Sequence, residues 1–199
     1  MSEQIKVDKK RRNLVVASSV VGGAAGLGAA VPFVVSMWPS ERAKAAGAPV
    51  EVDISKIAPG EMAVIEWRGK PVWVIHRTKE MIESLKSVNT RLTDPESRSS
   101  KQPAYAKNET RAQNPEWMVM EGVCTHLGCS PQLKNAEAKA EMGGDWAGGF
   151  YCPCHGSKFD YAGRVFRGAP APTNLKIPPY TFLSDNTLLI GADQETKGA

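Results

Sequence analysis

The sequence predicts a mainly β domain joined to one N-terminal membrane-spanning helix. A segment without any charged residue, residues 13–40, lies near the N-terminus. From residue 50 onward, apolar residues recur in short alternating runs separated by turn-forming residues, a pattern typical of β-strands. The four cysteines and two of the three histidines fall in two short segments of this second region, 124–129 and 152–157. These features divide the chain into an anchor, a linker and a folded domain with a reactive site.

The composition of the 199 residues is that of a folded protein. Hydrophobic residues make up 42% and charged residues 23% of the chain, which excludes global disorder, and no collagen, coiled-coil or solenoid repeat is present. The net charge is +4, but residues 1–12 hold five basic and two acidic side chains, so residues 13–199 carry only +1. The folded part therefore has no broad cationic surface, which argues against nucleic-acid binding.

Residues 13–38 are predicted to anchor the protein in a lipid bilayer. The apolar run from 14 to 38 has 25 residues, whereas a helix needs about 20 to cross the hydrocarbon core. That length favours an uncleaved anchor over a signal peptide, whose apolar region has about 7–15 residues, and the flanking charges disfavour a buried core helix. The basic tail 1–12 keeps the N-terminus in the cytoplasm by the positive-inside rule. Its Arg11-Arg12 pair also resembles a twin-arginine export signal.

Residues 39–49 are interpreted as a hinge linker because they are small and polar, with a proline near each end. A short helical turn over residues 41–46 is compatible with this interpretation. In the domain 50–199, hydrophobic periodicity predicts strands, one amphipathic helix and long loops. The predicted strands are 50–54, 62–67, 71–76, 117–120, 180–184 and 187–190, the helix is 78–88, and 89–115 and 130–151 are surface segments, the latter an insertion centred on 134–149.

The two Cys/His segments read Cys-Thr-His-Leu-Gly-Cys at 124–129 and Cys-Pro-Cys-His-Gly-Ser at 152–157. Three interpretations of the six cysteines and histidines are open. One is a zinc site, although six candidate ligands are two too many for tetrahedral zinc. Another is a pair of structural disulfides, which leaves the histidines without a role. The third divides the residues into four metal ligands and one disulfide, and it uses all six. His76, alone at the end of an apolar strand, is interpreted as structural.

These motifs resemble those of the Rieske iron–sulfur subunits of bacterial quinol–cytochrome c reductases, the cytochrome bc complexes. The similarity extends to the N-terminal anchor, the linker, the segment PGEMAVIEWRGKPVWVIHRT and the turn GAPAP. The resemblance implies a Rieske-type antiparallel β-sandwich with a small cluster-binding subdomain over about residues 120–172. It also implies one [2Fe–2S] cluster per subunit.

The resemblance further implies the ligands of that cluster. Cys124 and Cys152 would bind one iron ion, and His126 and His155 the other. Two neutral imidazoles in place of two thiolates remove negative charge from the centre, and such clusters have potentials of about −150 to +300 mV, against about −400 mV for plant-type ferredoxins. His155 is the ligand that the resemblance assigns to receive the proton of a quinol.

Other residues around the cluster receive roles from the same resemblance. Cys129 and Cys154 would form a disulfide between the two loops. Leu127 and Gly128 would form the tip that meets cytochrome b, and Pro170 would belong to a turn, residues 168–172, that covers the cluster. Ser157 would donate a hydrogen bond to a cluster sulfur. The family commonly has tyrosine where this chain has Phe159, and Tyr161 is not assigned that role. Without this donor, we expect a lower midpoint potential.

The function implied is electron transfer within a quinol–cytochrome c oxidoreductase. The expected partners are a cytochrome b subunit, a c-type cytochrome, quinol and the lipid bilayer, in a dimeric complex of a bacterial inner membrane with the Rieske domain on the periplasmic side. A Rieske domain of an oxygenase or of another oxidase is the alternative within redox chemistry, but oxygenase domains normally lack the extra cysteine pair and the anchor. A zinc module or a disulfide-stapled envelope protein is the alternative from another class.

Overall fold

A computed structural model describes residues 8–193, apart from the side chains of Arg42 and Ala46. The chain divides into two compact units, Met1–Ala45 and Ala46–Ala199. Most of the basic tail predicted over residues 1–12, and the last six residues of the predicted domain, lie outside the described residues.

The first unit is built on the long helix α1, Lys9–Ser36, whose described side chains are exposed throughout. Asp8 caps its N-terminus by accepting hydrogen bonds from the backbone N–H groups of Lys10 and Arg11. The helix therefore starts before the predicted boundary at residue 13. Within residues 8–193, α1 is the one helix whose length and composition suit a membrane crossing.

The predicted linker contains the short helix α2, Glu41–Ala46. The Ser40 hydroxyl accepts a hydrogen bond from the Ala43 N–H, and Lys44 forms an exposed ion pair with Glu41. The helical turn considered for residues 41–46 is thus present, and both flanking prolines lie outside it.

The second unit contains two three-stranded antiparallel sheets whose strands the sequence predicted. Strands β1 (Val50–Asp53), β8 (Tyr180–Ser184) and β9 (Thr187–Ile190) pair in the order β1-β9-β8, and β2 (Met62–Trp67), β3 (Lys70–His76) and β4 (Trp117–Glu121) in the order β2-β3-β4. The predicted strands are therefore confirmed to within one residue. Arg68 and Gly69 both have positive φ, as the two-residue turn between β2 and β3 requires.

A third sheet was not predicted from the sequence. Strands β5 (Gln132–Lys134), β6 (Gly149–Tyr151) and β7 (Lys158–Phe159) pair in that order. Each has only two or three residues, too few for a hydrophobic alternation to be recognised. This sheet carries one of the two Cys/His segments, because residues 152–157 connect β6 to β7.

The interpretation of residues 130–151 as a surface insertion is wrong in part. The segment contributes β5, β6 and the short helix α4 (Lys139–Met142), and it buries Trp146 and Phe150. The indole N–H of Trp146 donates to the carbonyls of both Lys134 and Asn135, so hydrogen bonds within the segment link its two halves. Aromatic packing therefore makes this segment part of the core.

The polar loop predicted over 89–115 is also not confined to the surface, because Arg111 is fully buried. Its guanidinium donates to the carbonyls of Ala162 and Leu175, 2.8 Å away in each case. Arg164 is buried as well and pairs with Asp160, with a distance of 2.7 Å between Nε and Oδ2. Burial lowers the pKa of Arg111 to about 10, so this side chain still carries its charge near neutral pH. These arginines fix the segment that directly follows the third sheet.

The predicted amphipathic helix is α3, Lys79–Ser87, with Thr78 as its N-cap. The Thr78 hydroxyl accepts a hydrogen bond from the Met81 N–H. Met81 and Leu85 are buried on one side of the helix, where they pack with Tyr161 and Ala162. The helix therefore supports the chain segment beyond the second Cys/His loop.

Candidate metal centre

The two Cys/His segments are loops with the same backbone hydrogen-bond pattern. In the first, the Cys124 N–H donates to the Cys129 carbonyl at 2.7 Å, and the Gly128 N–H donates to the Cys124 carbonyl at 3.0 Å. In the second, the Cys152 N–H donates to the Ser157 carbonyl at 2.8 Å, and the Gly156 N–H donates to the Cys152 carbonyl at 2.9 Å. Each loop thus closes on its first cysteine and presents the residues between.

A glycine makes each loop possible. Gly128 and Gly156 occupy the fifth position of their loops and have φ values of 88° and 78°. Residues with a Cβ rarely adopt this left-handed backbone, whereas glycine does so readily. The glycines in the two motifs therefore have a local structural cause.

The loops start from strands that Trp73 holds together. The first loop follows β4 through Gly122, where a Cβ would lie 2.2 Å from the Trp73 ring. The second follows β6, and Phe150 of that strand stacks on Trp73 with ring centroids 4.9 Å apart. Trp73 thus contacts the base of both loops, a role that its position in an apolar strand did not reveal. The only available signal was the glycine two residues before Cys124.

A disulfide joins the loops. Cys129 and Cys154 are bonded, with their Cα atoms 6.7 Å apart. This is the pairing that the family resemblance implies. It links two residues that are 25 positions apart in the sequence, so the loops cannot separate without breaking a covalent bond.

The remaining two cysteines are free and buried. Cys124 and Cys152 are 3% and 2% exposed. Burial raises the pKa of the Cys124 thiol, so without a metal it stays protonated at neutral pH. Metal binding would remove the proton, since thiolates are the ligand form of cysteine.

The two histidines of the loops face each other. The rings of His126 and His155 lie 4.7 Å apart between centroids, in an edge-to-face arrangement. His155 is exposed and His126 is half-buried. The Nδ1 atom of His126 is buried and has no hydrogen-bond partner among residues 8–193. A buried nitrogen without a partner is costly, and coordination to a metal ion would satisfy it.

These observations test whether the residues fit an iron–sulfur cluster. Each loop offers one buried thiol and one imidazole, and the unpartnered nitrogen of His126 is explained by a metal. The sulfur atoms of Cys129, Cys152 and Cys154 also lie within 4.8 Å of one another. Two of these three are bonded in the disulfide and cannot act as thiolate ligands, so this trio is not itself a metal site. The donor set that fits consists of two thiols and two imidazoles.

Ser157 connects the second loop to the Pro-rich turn. Its side chain is fully buried, and its Oγ accepts a hydrogen bond from the Ala171 N–H at 3.0 Å. The Ser157 hydroxyl also hydrogen-bonds to the Cys124 side chain, which lowers the pKa of this thiol against the larger effect of burial. Because the serine oxygen already accepts from Ala171, its own proton is available to sulfur.

The residue that follows the Pro-rich turn is bound to the first loop. The Thr125 hydroxyl donates to the carbonyl of Thr173 over 2.6 Å. Within residues 168–172, Ala171 is buried whereas Pro170 is exposed. Residues 171–173 therefore contact both loops.

The tip of the first loop is apolar and exposed. Leu127 is 72% exposed, and the neighbouring Gly128 is exposed as well. An exposed leucine costs free energy in water, and its position directly after His126 in the loop suits contact with an apolar partner.

Phe159, Tyr161 and His76 have structural roles in the domain. Phe159 is fully buried in β7. Tyr161 packs on Phe150 with centroids 6.5 Å apart, and burial raises the pKa of its hydroxyl to about 12. His76 stacks on Trp117 at 4.2 Å, and its Nδ1 lies 2.8 Å from a backbone carbonyl.

Comparison with known proteins gives one consistent result. Residues 101–179, which include both loops, match the family model described as Rieske [2Fe–2S] domain. The chain is 56% identical over 189 residues to the ubiquinol-cytochrome c reductase iron-sulfur subunit of Allochromatium vinosum, with 94% of this chain and 91% of the relative covered. It is 40% identical to the protein of that name from Blastochloris viridis, covering 96% and 98%. A chain of a hyperthermophilic respiratory Complex III is 31% identical, with a TM-score of 0.47 and coverage of 87% and 98%.

Proposed function

The chain belongs to the family of ubiquinol–cytochrome c reductase iron–sulfur subunits, and on this basis we propose which of its residues perform electron transfer. Cys124, His126, Cys152 and His155 hold the [2Fe–2S] cluster, and His155 receives the proton of the quinol. The observation that carries the assignment is the pairing of two buried free thiols with the unpartnered buried nitrogen of His126.

The cluster, when bound, supplies a one-electron acceptor with a potential raised by its two imidazole ligands. The protein contributes the environment. Cys124 and Cys152 exclude water on the buried side, while the exposed His155 is open to a second molecule. An imidazole has two ring nitrogens, so one can bind metal while the other exchanges a proton with substrate. This separation of buried and exposed ligands suits a site that takes an electron and a proton from the same donor.

The membrane topology is proposed from α1 and the site chemistry. Helix α1 anchors the chain in the bacterial inner membrane, with the basic tail in the cytoplasm. The second unit then lies on the periplasmic side. The Cys129–Cys154 disulfide supports this placement, because disulfides persist in oxidising compartments.

The relatives are subunits of ubiquinol–cytochrome c reductases, so cytochrome b and a c-type cytochrome are the partners that we propose for this chain, in a dimeric complex. Leu127 and Gly128 would meet cytochrome b beside the quinol, with Pro170 on the same side of the cluster. Residues 39–49 would act as a hinge that lets the second unit alternate between the two cytochromes. The short α2 does not prevent this, because the segments on either side of it are not helical.

Spectroscopy of ligand variants tests the ligand assignment. The full-length chain should contain two iron ions per molecule and give, when reduced, the low-average-g EPR spectrum of a histidine-ligated [2Fe–2S] cluster. His126→Gln and His155→Gln should lose that spectrum. His76→Gln is the matched control, since His76 is a structural histidine stacked on Trp117, and it should keep the spectrum. A protein that contains zinc in place of iron, or a His126 variant with an unchanged spectrum, would contradict the assignment.

A further inference from the structure

The Pro-rich turn, residues 168–172, contains two prolines that cannot donate backbone hydrogen bonds. Pro170 and Pro172 have no N–H group. The Ala171 N–H between them donates to the Ser157 hydroxyl at 3.0 Å, and the same hydroxyl hydrogen-bonds to the Cys124 side chain. The position of this one amide therefore affects a hydroxyl that contacts a proposed metal ligand.

Asn174 holds the chain two residues beyond the turn. Its side chain is fully buried. Its Oδ1 accepts a hydrogen bond from the Val165 N–H at 2.9 Å, and its Nδ2 donates to the Asp94 carbonyl at 2.9 Å and to the Ser97 hydroxyl at 2.8 Å. Its backbone N–H donates to the Ser100 hydroxyl at 3.2 Å. These four hydrogen bonds tie one residue to two segments that are distant from each other in the sequence.

Residues 94–100 form an ordered support for Asn174. The Asp94 carboxylate accepts hydrogen bonds from two backbone N–H groups of the same segment, at 2.8 and 3.0 Å. Ser97 is 4% exposed and has a φ of 53°, in a region that residues with a Cβ rarely adopt. Such a conformation persists only where the surroundings hold it. The hydrogen bond that Ser97 accepts from Asn174 therefore connects the Pro-rich turn to a fixed part of the domain.

We propose that Asn174 is a positioning residue for the metal centre, because it holds the Pro-rich turn so that the Ala171 N–H stays on the Ser157 hydroxyl. This inference rests on the proposed function, in which Cys124 is a cluster ligand. Pro172 has a fixed φ, so the chain between Ala171 and Asn174 has little freedom to absorb a displacement. A shift at the asparagine therefore reaches the amide that contacts the serine.

The hydrogen bond from Ala171 acts on the potential through the serine. An N–H that donates to a hydroxyl polarises it and strengthens the bond that the hydroxyl itself donates. The Ser157 hydroxyl donates to sulfur, which favours the reduced state of the centre. Loss of the Asn174 hydrogen bonds therefore lowers the midpoint potential. Thr125 also bonds to the neighbouring Thr173, but its loss leaves the turn in place while the four bonds of Asn174 are intact.

Three variants of the full-length chain separate this role from a loss of stability. Asn174→Leu removes the side-chain hydrogen bonds at similar volume. Ser97→Ala combined with Ser100→Ala removes two of the four hydrogen bonds and retains the asparagine, so it takes the place of Asn174→Leu if that variant does not fold. Asn114→Leu is the matched control. The Asn114 Oδ1 accepts from the Glu116 N–H at 3.0 Å, just before β4, whose opposite end leads to the first loop.

Two properties are measured for each protein. Mass spectrometry gives the hydrogen–deuterium exchange of peptides covering residues 168–174, and a redox titration gives the midpoint potential. In Asn174→Leu we expect exchange several-fold faster than in the wild type and a lower midpoint. Ser97→Ala with Ser100→Ala should change both properties in the same direction by a smaller amount. Asn114→Leu should leave both at their wild-type values.

Combining Ser157→Ala with Asn174→Leu shows whether the asparagine acts through the serine. The combined variant should have the midpoint of Ser157→Ala alone. A further decrease in the combined variant, faster exchange with an unchanged midpoint in Asn174→Leu, or exchange at the wild-type rate would each overturn the proposal. A wild-type chain without the EPR spectrum of the cluster would refute the ligand assignment instead, and the exchange comparison would then decide by itself whether Asn174 holds the turn.

Discussion

Replacing Ser157 with alanine tests how the protein sets the potential of its metal centre. The Ser157 hydroxyl is fully buried, accepts a hydrogen bond from the Ala171 N–H at 3.0 Å and hydrogen-bonds to the Cys124 side chain. A donor to sulfur withdraws electron density and favours the reduced, more negative state. Ser157→Ala removes this donor without adding volume. The midpoint potential should therefore fall.

The size of the decrease follows from the strength of one hydrogen bond to a charged group, about 1.5–3 kcal/mol. For a one-electron couple, about 59 mV corresponds to a tenfold change in the equilibrium constant, so this energy equals about 65–130 mV. The hydrogen bond exists in both oxidation states, and only the difference between them shifts the potential. We therefore expect a decrease of tens of millivolts, with about 130 mV as the upper limit.

The assay is a redox titration of the full-length chain followed by EPR or circular dichroism. Thr125→Val is the matched control, because the Thr125 hydroxyl also links a loop to the segment around the Pro-rich turn but donates to the Thr173 carbonyl rather than to sulfur. The control should lose about 0.5–1.5 kcal/mol of stability in denaturant unfolding, with an unchanged midpoint. An unchanged midpoint in Ser157→Ala, or an equal decrease in Thr125→Val, would refute the argument.

Four further changes have expected outcomes. Phe159→Tyr should raise the midpoint potential by adding a donor near the cluster, and an unchanged or lowered value in the same titration would count against it. Leu127→Ala should slow quinol oxidation by the assembled complex and leave the EPR spectrum intact. Leu183→Ala, a change at another exposed leucine, should leave turnover unaltered. Equal effects of the two substitutions on turnover would contradict a docking role of the loop tip. Arg164→Ala should cost about 3–5 kcal/mol of unfolding free energy, because it removes the guanidinium paired with the buried Asp160 carboxylate. A loss below about 1 kcal/mol in denaturant unfolding would contradict this account of the pair. Shortening or stiffening residues 39–49 should slow electron delivery to the c-type cytochrome, and normal turnover would argue against domain movement.

Much of the fold was predictable because its signals are local. Strands β2, β8 and β9 have the predicted bounds, since alternation and two-residue turns are set by neighbouring residues. Helix α3 was predicted by its spacing of apolar residues, and Thr78 begins it as an N-cap. The two Cys/His segments were recognisable as a site because their residues lie close together in the sequence. Their division into ligands and a disulfide came from the family resemblance.

The errors concern segments whose structure depends on distant partners. Residues 130–151 contain no long apolar pattern, yet Trp146 and Phe150 are buried because they pack against residues elsewhere in the domain. Arg111 lies in a polar loop, where a charged side chain is normally solvated. It is buried because carbonyls of Ala162 and Leu175 accept its hydrogen bonds. No local pattern indicates such long-range acceptors.

The sequence alone determined the anchor, the strands of the two larger sheets and the residue types of the metal centre, because each is encoded by neighbours along the chain. Only the tertiary structure decided how the centre is assembled. Trp73 supports both loops, and the Ser157 hydroxyl lies between Ala171 and Cys124. The sulfur atoms of Cys129, Cys152 and Cys154 lie within 4.8 Å of one another. The physical reason is that hydrogen bonds and ring contacts act over a few ångströms, so residues far apart in the chain gain these roles only when folding brings them together.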